Sequence, residues 1–336
     1  MKSNRLRSGL AAALALTVLG SMPVRAAESQ AELRQSLQDL LDWWPGDYDS
    51  LPQVDAERRL GAPPDGEHDR QTRVFRRVAV PHIGEHVIYG EVHVGGKDGD
   101  IIPGQQVLYI MHIDAARRAI DVSGRRILNG DRFRLKDQTP EKLRDIAIDP
   151  NVGGNCHFLW RREGLQLVAH LSDLNANNTT CTMVSKTSGQ KMTWDAKWIL
   201  TPDQMWVFDN GYLHDQDNPS RPPRLFAGRE DRSFEKMYKG REFKCEIRAT
   251  GGARLAVGIA DHGGEVALGS NFAAEPMTLQ LLRSEYQRAS GVGLEYKLRL
   301  ALLPAGSDQP VAQALETGDA RRVTLNHQGI QAACKH

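Results

Sequence analysis

The sequence predicts an all-β, mainly antiparallel fold: a β-barrel with one N-terminal helix, followed by a small β-rich C-terminal domain. Three observations support this fold class. Between residues 72 and 209, apolar and polar side chains alternate with a period of two, as they do in half-buried strands. Most of these segments are joined by short turns, which make neighbouring strands antiparallel. One amphipathic segment precedes them, and the composition changes after them.

The first 27 residues have the pattern of a secretory signal peptide. Basic residues precede an apolar run over residues 9–19, and Ala26 and Ala27 offer small residues for cleavage. The run is shorter than the ~20 residues that a transmembrane helix needs. We therefore expect no integral membrane segment, and a mature chain that begins near residue 28 in the periplasm or outside the cell.

The mature chain is predicted to open with a helix. Apolar side chains recur at three- and four-residue intervals over residues 29–44, and Pro45 with Gly46 ends the pattern. Residues 52–70 contain several prolines and many charges, so we predict an irregular loop there.

The strands of the barrel follow this loop. The alternation predicts them at about 72–80, 86–94, 105–113, 118–127, 155–162, 166–172, 180–186, 191–200 and 203–209. A short helix is predicted at 140–147, where Thr139 can cap and Pro140 suits the first turn. Sequential antiparallel strands favour an up-and-down barrel, which removes exposed edges by closing the sheet, and a two-sheet sandwich is the alternative. Such a barrel can hold one small ligand.

A charged, proline-rich break at residues 215–223 and a second boundary near 229–232 separate the barrel from the C-terminal region. We therefore divide the chain into a signal peptide, a barrel domain and a small β-rich domain, at 1–27, 28–229 and 230–336. In the last domain, a helix is predicted at 276–284, and strands are predicted at 242–249, 254–259, 294–303 and 320–325.

Four cysteines in an exported chain indicate a disulfide framework, for which three connectivities exist. Their positions favour Cys156 with Cys181, joining neighbouring strands, and Cys245 with Cys334, tying the ends of the C-terminal region together. Four buried free thiols are the alternative. No metal site is predicted, because the cysteines and histidines lack the spacing of metal ligands.

The composition argues against some classes of partner. The 336 residues are 40% hydrophobic and 25% charged, and 43 Lys and Arg balance 42 Asp and Glu. No global field therefore attracts nucleic acid or an anionic membrane. The sequence also lacks a Gly-rich phosphate loop, a G-x-S-x-G elbow and an H-E-x-x-H motif.

Candidate functional side chains lie in the barrel region. In the strand at 86–94, Tyr89, Glu91 and His93 share one face, and aliphatic side chains share the other. In a barrel, that polar face lies either in solvent or in the lumen, and the sequence leaves both placements open.

Several short motifs stand in a fixed order. The sequence contains, in turn, LLDWWPGDYDSLPQ at 40–53, Tyr89-Gly90-Glu91-Val92, PGQQVLY at 103–109, Gly154-Asn155-Cys156, Cys181 and Asp209-Asn210-Gly211. Over roughly residues 33–228, this order resembles the CpcT/CpeT chromophore lyase family, whose members attach bilins to cysteines of phycobiliproteins.

The resemblance implies a calycin- or lipocalin-like barrel whose open end accepts a bilin or related tetrapyrrole, and a homodimer. It also implies a lyase that orients the bilin and protonates it while a thiolate of an acceptor protein adds to it. Glu91 and Asp209 are the catalytic residues in this interpretation, and the ligand-binding residues are Tyr89, Gln106, Tyr109, Gln53 and Arg73.

Two further functions remain open beside the lyase. Gln105 and Val107 stand where the family has arginines, so guanidinium groups suited to bilin propionates are missing. This difference favours an exported, non-catalytic carrier of a small amphipathic ligand. A structural envelope protein is the third interpretation, and it predicts a lumen filled by tryptophans, namely Trp160, Trp194, Trp198 and Trp206.

Overall fold

A computed structural model of the chain describes residues 29–63, 66–128, 130, 140–150, 156–174, 181–184, 189–215, 217–218, 220–225 and 234–336. The predicted signal peptide, the Gly154-Asn155 part of one motif and the predicted boundary at 229/230 lie outside the described residues. Every strand pairing within the described part is antiparallel.

The first sheet contains twelve strands. In chain order they are β1 (Gly46–Asp49), β2 (Gln71–Arg77), β3 (His86–Val94), β4 (Val107–Asp114), β5 (Ala119–Arg126), β6 (Cys156–Glu163), β7 (Gln166–Asp173), β8 (Cys181–Val184), β9 (Lys191–Leu200), β10 (Gln204–Leu213), β11 (Arg224–Leu225) and β12 (Phe234–Lys239). Ten of them close a ring in the order β1-β2-β3-β4-β5-β6-β7-β9-β10-β12, because β12 pairs with β1. The predicted barrel is therefore confirmed.

One end of the barrel is closed by helix α1 (Gln30–Trp43). Ser29 caps the start of the helix: its hydroxyl accepts from the Glu32 amide, while the Glu32 carboxylate accepts from the Ser29 amide. Its buried leucines join the core of the barrel. Arg77 Nε and Lys239 Nζ, at the ends of β2 and β12, donate to the carbonyl groups of Leu41 and Trp43 at 2.9 and 3.1 Å. We call this the α1 end.

Helix α2 (Leu51–Arg59) occupies the first part of the segment 52–70, so the predicted irregular loop was wrong for residues 52–59. Pro52 falls in the first turn, where its missing N–H costs nothing. Asp55 pairs with Arg59 at 2.9 Å, and Gln53 donates to Glu57 at 3.0 Å. These polar side chains suggested a loop, but as pairs four residues apart they stabilise the helix. Helix α3 (Pro140–Leu143) is shorter than the predicted helix at 140–147.

Strand β12 belongs to the barrel although the sequence analysis assigned it to the C-terminal domain. It pairs with β10 along 204–208 and with β1 at Tyr48 and Asp49. These partners lie at the two ends of the barrel sequence, so β12 is the strand that closes the ring.

The C-terminal region is a sandwich of two four-stranded sheets. Its strands are β13 (Glu242–Ala249), β14 (Arg254–Ala260), β15 (His262–Leu268), β16 (Met277–Gln287), β17 (Leu294–Pro304), β18 (Ala312–Thr317), β19 (Arg322–His327) and β20 (Ile330–Lys335). The sheets have the orders β14-β13-β20-β19 and β15-β16-β17-β18, and their inner faces share one apolar core. The predicted helix at 276–284 was wrong: the segment lies in β16, where Leu279 and Leu281 alternate into that core.

Both predicted disulfides are present. Cys156 is bonded to Cys181 at the end of the barrel opposite α1, and Cys245 is bonded to Cys334. The second pair bridges residues that face each other directly in the β13–β20 pairing. No free cysteine remains among the described residues.

The sandwich packs against the barrel through α2. Ser284 Oγ on β16 donates to the Pro52 carbonyl at 2.8 Å, and Arg299 on β17 pairs with Asp55 at 2.8 Å. The Arg59 guanidinium lies 3.6 Å from the centre of the Tyr286 ring. The β15–β18 sheet therefore faces the barrel, and the β14–β19 sheet faces away from it. In the part of the chain that the structure describes, no helix is long and apolar enough to cross a membrane.

Candidate functional site

The lumen of the barrel carries a group of polar side chains. Alternation along each strand identifies them, since Arg73 shares a face with buried Phe75, Tyr109 with Met111, and Asp209 with Val207. Glu235 likewise shares a face with Met237 on β12. We call the five side chains that meet here the polar cluster: Arg73, Tyr109, Trp198, Asp209 and Glu235.

The polar cluster lies away from the α1 end. Arg73 and Glu235 precede Arg77 and Lys239, the two residues that reach α1, by four positions on β2 and β12. Four residues of a strand span about 13 Å, so Arg73 and Glu235 lie in the other half of the lumen, while Tyr109 and Trp198 border the half next to α1.

Arg73 is the buried cation of the polar cluster. Its Nη2 donates to Glu235 Oε2 at 3.0 Å, and its guanidinium carbon lies 5.7 Å from the centre of the Trp198 ring. Within the described part of the chain, its Nε has no acceptor. The guanidinium group therefore keeps donor capacity beyond the ion pair with Glu235.

Asp209 keeps accessible surface although it lies inside the barrel wall. The surrounding protein desolvates its carboxyl group and raises the pKa from 3.8 to about 6, against the opposing effect of Arg73. Burial also raises the pKa of Tyr109 to about 12. A carboxyl group with accessible surface and a pKa of about 6 can bind a ligand or transfer a proton near neutral pH.

The half of the lumen next to α1 is aromatic and closely packed. The Trp44 ring lies 4.9 Å from Tyr109, 5.2 Å from Trp160 and 5.8 Å from Trp198, measured between ring centres. Gly90 permits this packing, since a Cβ atom there would lie 2.7 Å from Phe75 and 2.9 Å from Tyr109. The polar cluster therefore has an aromatic floor.

Three indole N–H groups in this aromatic half have no acceptor among the described residues, those of Trp44, Trp160 and Trp198. Buried donors are nearly always paired, and an unpaired donor costs roughly 1–3 kcal/mol. These unpaired donors therefore lower the stability of the aromatic half.

Three of the sequence-predicted site residues lie outside the lumen. Tyr89 and Glu91 are on the outer face of β3, where the Tyr89 hydroxyl donates to Glu91 and His93 contacts the same carboxylate at 3.1 Å. Apolar side chains from the segments around Val80 and Ile146 cover Tyr89. Gln106 is also buried. It adjoins this group because Gly90 pairs with Val107, which puts their chain neighbours Glu91 and Gln106 side by side.

Gln53 lies at a third place, the junction of α2 with β12. Its Oε1 accepts from the Lys236 amide at 2.7 Å, and its Nε2 lies 3.2 Å from His68 Nδ1. Of the sequence-predicted residues, the structure therefore brings together Arg73, Tyr109 and Asp209. It separates them from Tyr89, Glu91, Gln106 and Gln53.

Sequence reasoning missed Glu235 and Trp44 as parts of this interior. Glu235 follows the predicted domain boundary, and its strand has partners distant in the sequence. Trp44 follows the last residue of α1, and the WWPG run at 43–46 was the signal in the sequence for aromatic side chains at this end of the barrel. Trp206 lies on the outer face of β10, where its indole N–H donates to Gln204 Oε1 at 2.9 Å.

A cleft of about 240 Å³ lies beside the end of β10 and is lined by residues of 213–224 and Gln190, but by none of the predicted site residues. Within the described ranges, no group of three or more His, Cys, Asp or Glu residues is arranged to hold a metal ion.

The raised pKa of Asp209 predicts a pH effect on stability. Between about pH 4 and 6 the folded state binds more protons than the unfolded state, so this group's contribution to stability falls as pH rises through that window. Asp209→Asn should flatten this part of the pH profile. Urea-unfolding midpoints from pH 4 to 7 would measure it, with Asp195→Asn on the outer face of β9 as the charge-matched control. Superimposable profiles for wild type and Asp209→Asn would contradict the placement of Asp209.

Comparisons with known proteins give little further information. No family model matches the chain, and no curated protein matches it. Among solved structures, the chain is similar to the selenomethionine CRL protein of Arabidopsis, with 13% identity and a TM-score of 0.39 over 62% of this chain and 96% of that one. A likeness at this level supports no argument about function, so the function has to be argued from the residues of the lumen.

Proposed function

We propose that the barrel binds one small amphipathic ligand, with its polar end at the polar cluster and its apolar part against the aromatic floor. The barrel is a fold compatible with lipocalin-like ligand binding. The observation that carries the proposal is Asp209, a carboxyl group with accessible surface inside the barrel wall. Beside it, Arg73 has donors beyond its ion pair with Glu235.

A bilin or related tetrapyrrole is the ligand class that we propose. Its flat conjugated system suits the rings of Tyr109 and Trp198, its pyrrole N–H groups suit the Asp209 carboxylate, and its propionate suits the Arg73 guanidinium. The motif order that resembles CpcT/CpeT lyases supports the same ligand class.

The test is an absorbance titration of the purified protein with biliverdin and with haemin. We expect a saturable spectral shift that weakens about 10- to 100-fold in Arg73→Gln, the range for loss of a charged hydrogen bond. Arg76→Gln is the control, because Arg76 is on the same strand but pairs with Asp47 on the outer face. Equal weakening in both variants would contradict a site in the lumen. Binding of a fatty acid without any tetrapyrrole shift would support a carrier of a different ligand.

A lyase activity is the second candidate, and Asp209 is the observation that favours it. With a pKa of about 6, the carboxyl group is partly protonated near neutral pH and can donate a proton to the bilin while an acceptor thiolate adds to it. Cys156 and Cys181 are joined in a disulfide, so the thiolate would come from the acceptor. Pigment retained on an apo-phycobiliprotein subunit in a denaturing gel, and lost with Asp209→Asn, is the expected result.

A further inference from the structure

The outer face of the β14–β19 sheet carries an unusual arrangement of charges. The side chains on this face include five exposed cations and two exposed carboxylates, a net charge of three positive units in a chain whose formal net charge is +1. We call this surface the basic sheet face, defined by Lys244, Arg248, Arg254, Arg322 and Lys335.

The cations stand opposite one another across the strands. Lys244 pairs with Lys335, and Lys335 pairs with Arg322, so three positive charges form one row across β13, β20 and β19. Arg248 and Arg254 face each other in a second row. Strands lie about 4.8 Å apart, so the first row spans roughly 10 Å, and the second row lies about 13 Å along the sheet.

This arrangement does not serve the stability of the sheet. Like charges directly opposite each other destabilise a β-sheet. The carboxylates on this face are Glu242 and Glu246, and Glu246 pairs with Arg248 at 3.0 Å. Within the described part of the chain, the other four cations of the basic sheet face have no ion pair.

We propose that the basic sheet face binds the surface of an anionic phospholipid bilayer. The face looks away from α2 and the barrel, so the barrel stays clear of whatever the face binds. Small side chains such as Ala256 and Ala333 lie between the rows, so no bulky side chain separates the two rows of cations. A broad surface with two rows of cations complements a continuous negatively charged plane.

Two features favour the bilayer over other polyanions. The described residues of this face include no aromatic side chain, so it lacks the stacking platform of single-stranded nucleic-acid sites. It also lacks a helix or a protruding strand that could enter a duplex groove. The positive charges of the whole chain are nearly balanced by negative ones, but this face has a local excess of positive charge.

The test is sedimentation of the mature chain, from residue 28 onward, with vesicles of phosphatidylcholine alone or with one quarter phosphatidylglycerol, at 50 and 300 mM salt. Lys244→Gln/Arg322→Gln/Lys335→Gln removes the first row. The control Arg34→Gln/Lys97→Gln/Arg144→Gln removes three exposed charges from the barrel, where the described residues offer them no ion pair. Both variants lack residues 1–27, so the basic and apolar residues of the predicted signal peptide contribute to neither measurement.

We expect binding to phosphatidylglycerol vesicles to fall about fivefold per charge in the sheet variant, on the order of a hundredfold in total, and little in the control. Binding should weaken at 300 mM salt. The sheet variant should melt no lower than wild type, because like-charge repulsion is relieved. Equal losses in both variants, binding unaffected by the sheet variant, or tighter binding to duplex DNA than to vesicles would each overturn the proposal.

Discussion

Replacing Trp44 with alanine should destabilise the protein by about 3–5 kcal/mol, the range for truncating a large buried aromatic side chain. Trp44 has no exposed surface and lies at the centre of the aromatic floor, with four aromatic rings within 5.8 Å of its own, measured between ring centres. It also joins α1 to the barrel wall, so its loss opens a cavity where the helix closes the end of the barrel.

Urea unfolding followed by far-ultraviolet circular dichroism measures this effect. Trp206→Ala is the matched control, since Trp206 is on the outer face of β10 and has Lys236 5.4 Å from its ring centre. We expect the control to lose about 1 kcal/mol or less. Similar losses in the two variants would show that a tryptophan contributes equally to stability inside and outside the lumen. That result would contradict the claim that Trp44 is the centre of a packed aromatic floor.

Removing the Cys245–Cys334 disulfide should also have a large effect. The bond closes a loop with a sequence separation of 89, for which the chain-entropy relation gives about 4–5 kcal/mol. Cys156–Cys181 has a separation of 25, for which the same relation gives about 3.5 kcal/mol. Replacing each pair by alanines compares the two directly.

Two spectroscopic signals separate the domains in this experiment. All six tryptophans are in the barrel part of the chain, so their fluorescence reports on the barrel, while circular dichroism reports on both domains. Loss of Cys245–Cys334 should shift the circular dichroism transition more than the fluorescence transition. An unchanged circular dichroism midpoint would contradict a stabilising role for this disulfide.

The barrel could be predicted because its evidence is local. Period-two alternation and short links specify antiparallel neighbours, and the ring strands from β2 to β10 follow one another in chain order, with only β8 left outside the ring. Strand β12 could not be placed this way, because its partners β1 and β10 are far apart in sequence and only ring closure brings them together. The ion pair of Arg73 with Glu235 was hidden for the same reason.

The sequence also did not show which face of each strand points into the barrel. Alternation put Tyr89, Glu91 and His93 on one face, but the inner face of β3 is the one with Ile88 and Gly90. Glycine in a strand beside bulky rings marks a close approach, and Gly90 was the available signal. Asp209, Tyr109 and Arg73 were predicted as site residues, but only the closed barrel brings them together.

The central claim is that a ligand enters the lumen and lies beside Trp198. Quenching of tryptophan fluorescence by biliverdin tests it most directly, in wild type, Trp198→Phe and Trp206→Phe. We predict saturable quenching that keeps its affinity in Trp206→Phe and becomes weaker or smaller in amplitude in Trp198→Phe, since only Trp198 belongs to the polar cluster. Absence of quenching, or the same change in both variants, would contradict a tetrapyrrole in the barrel.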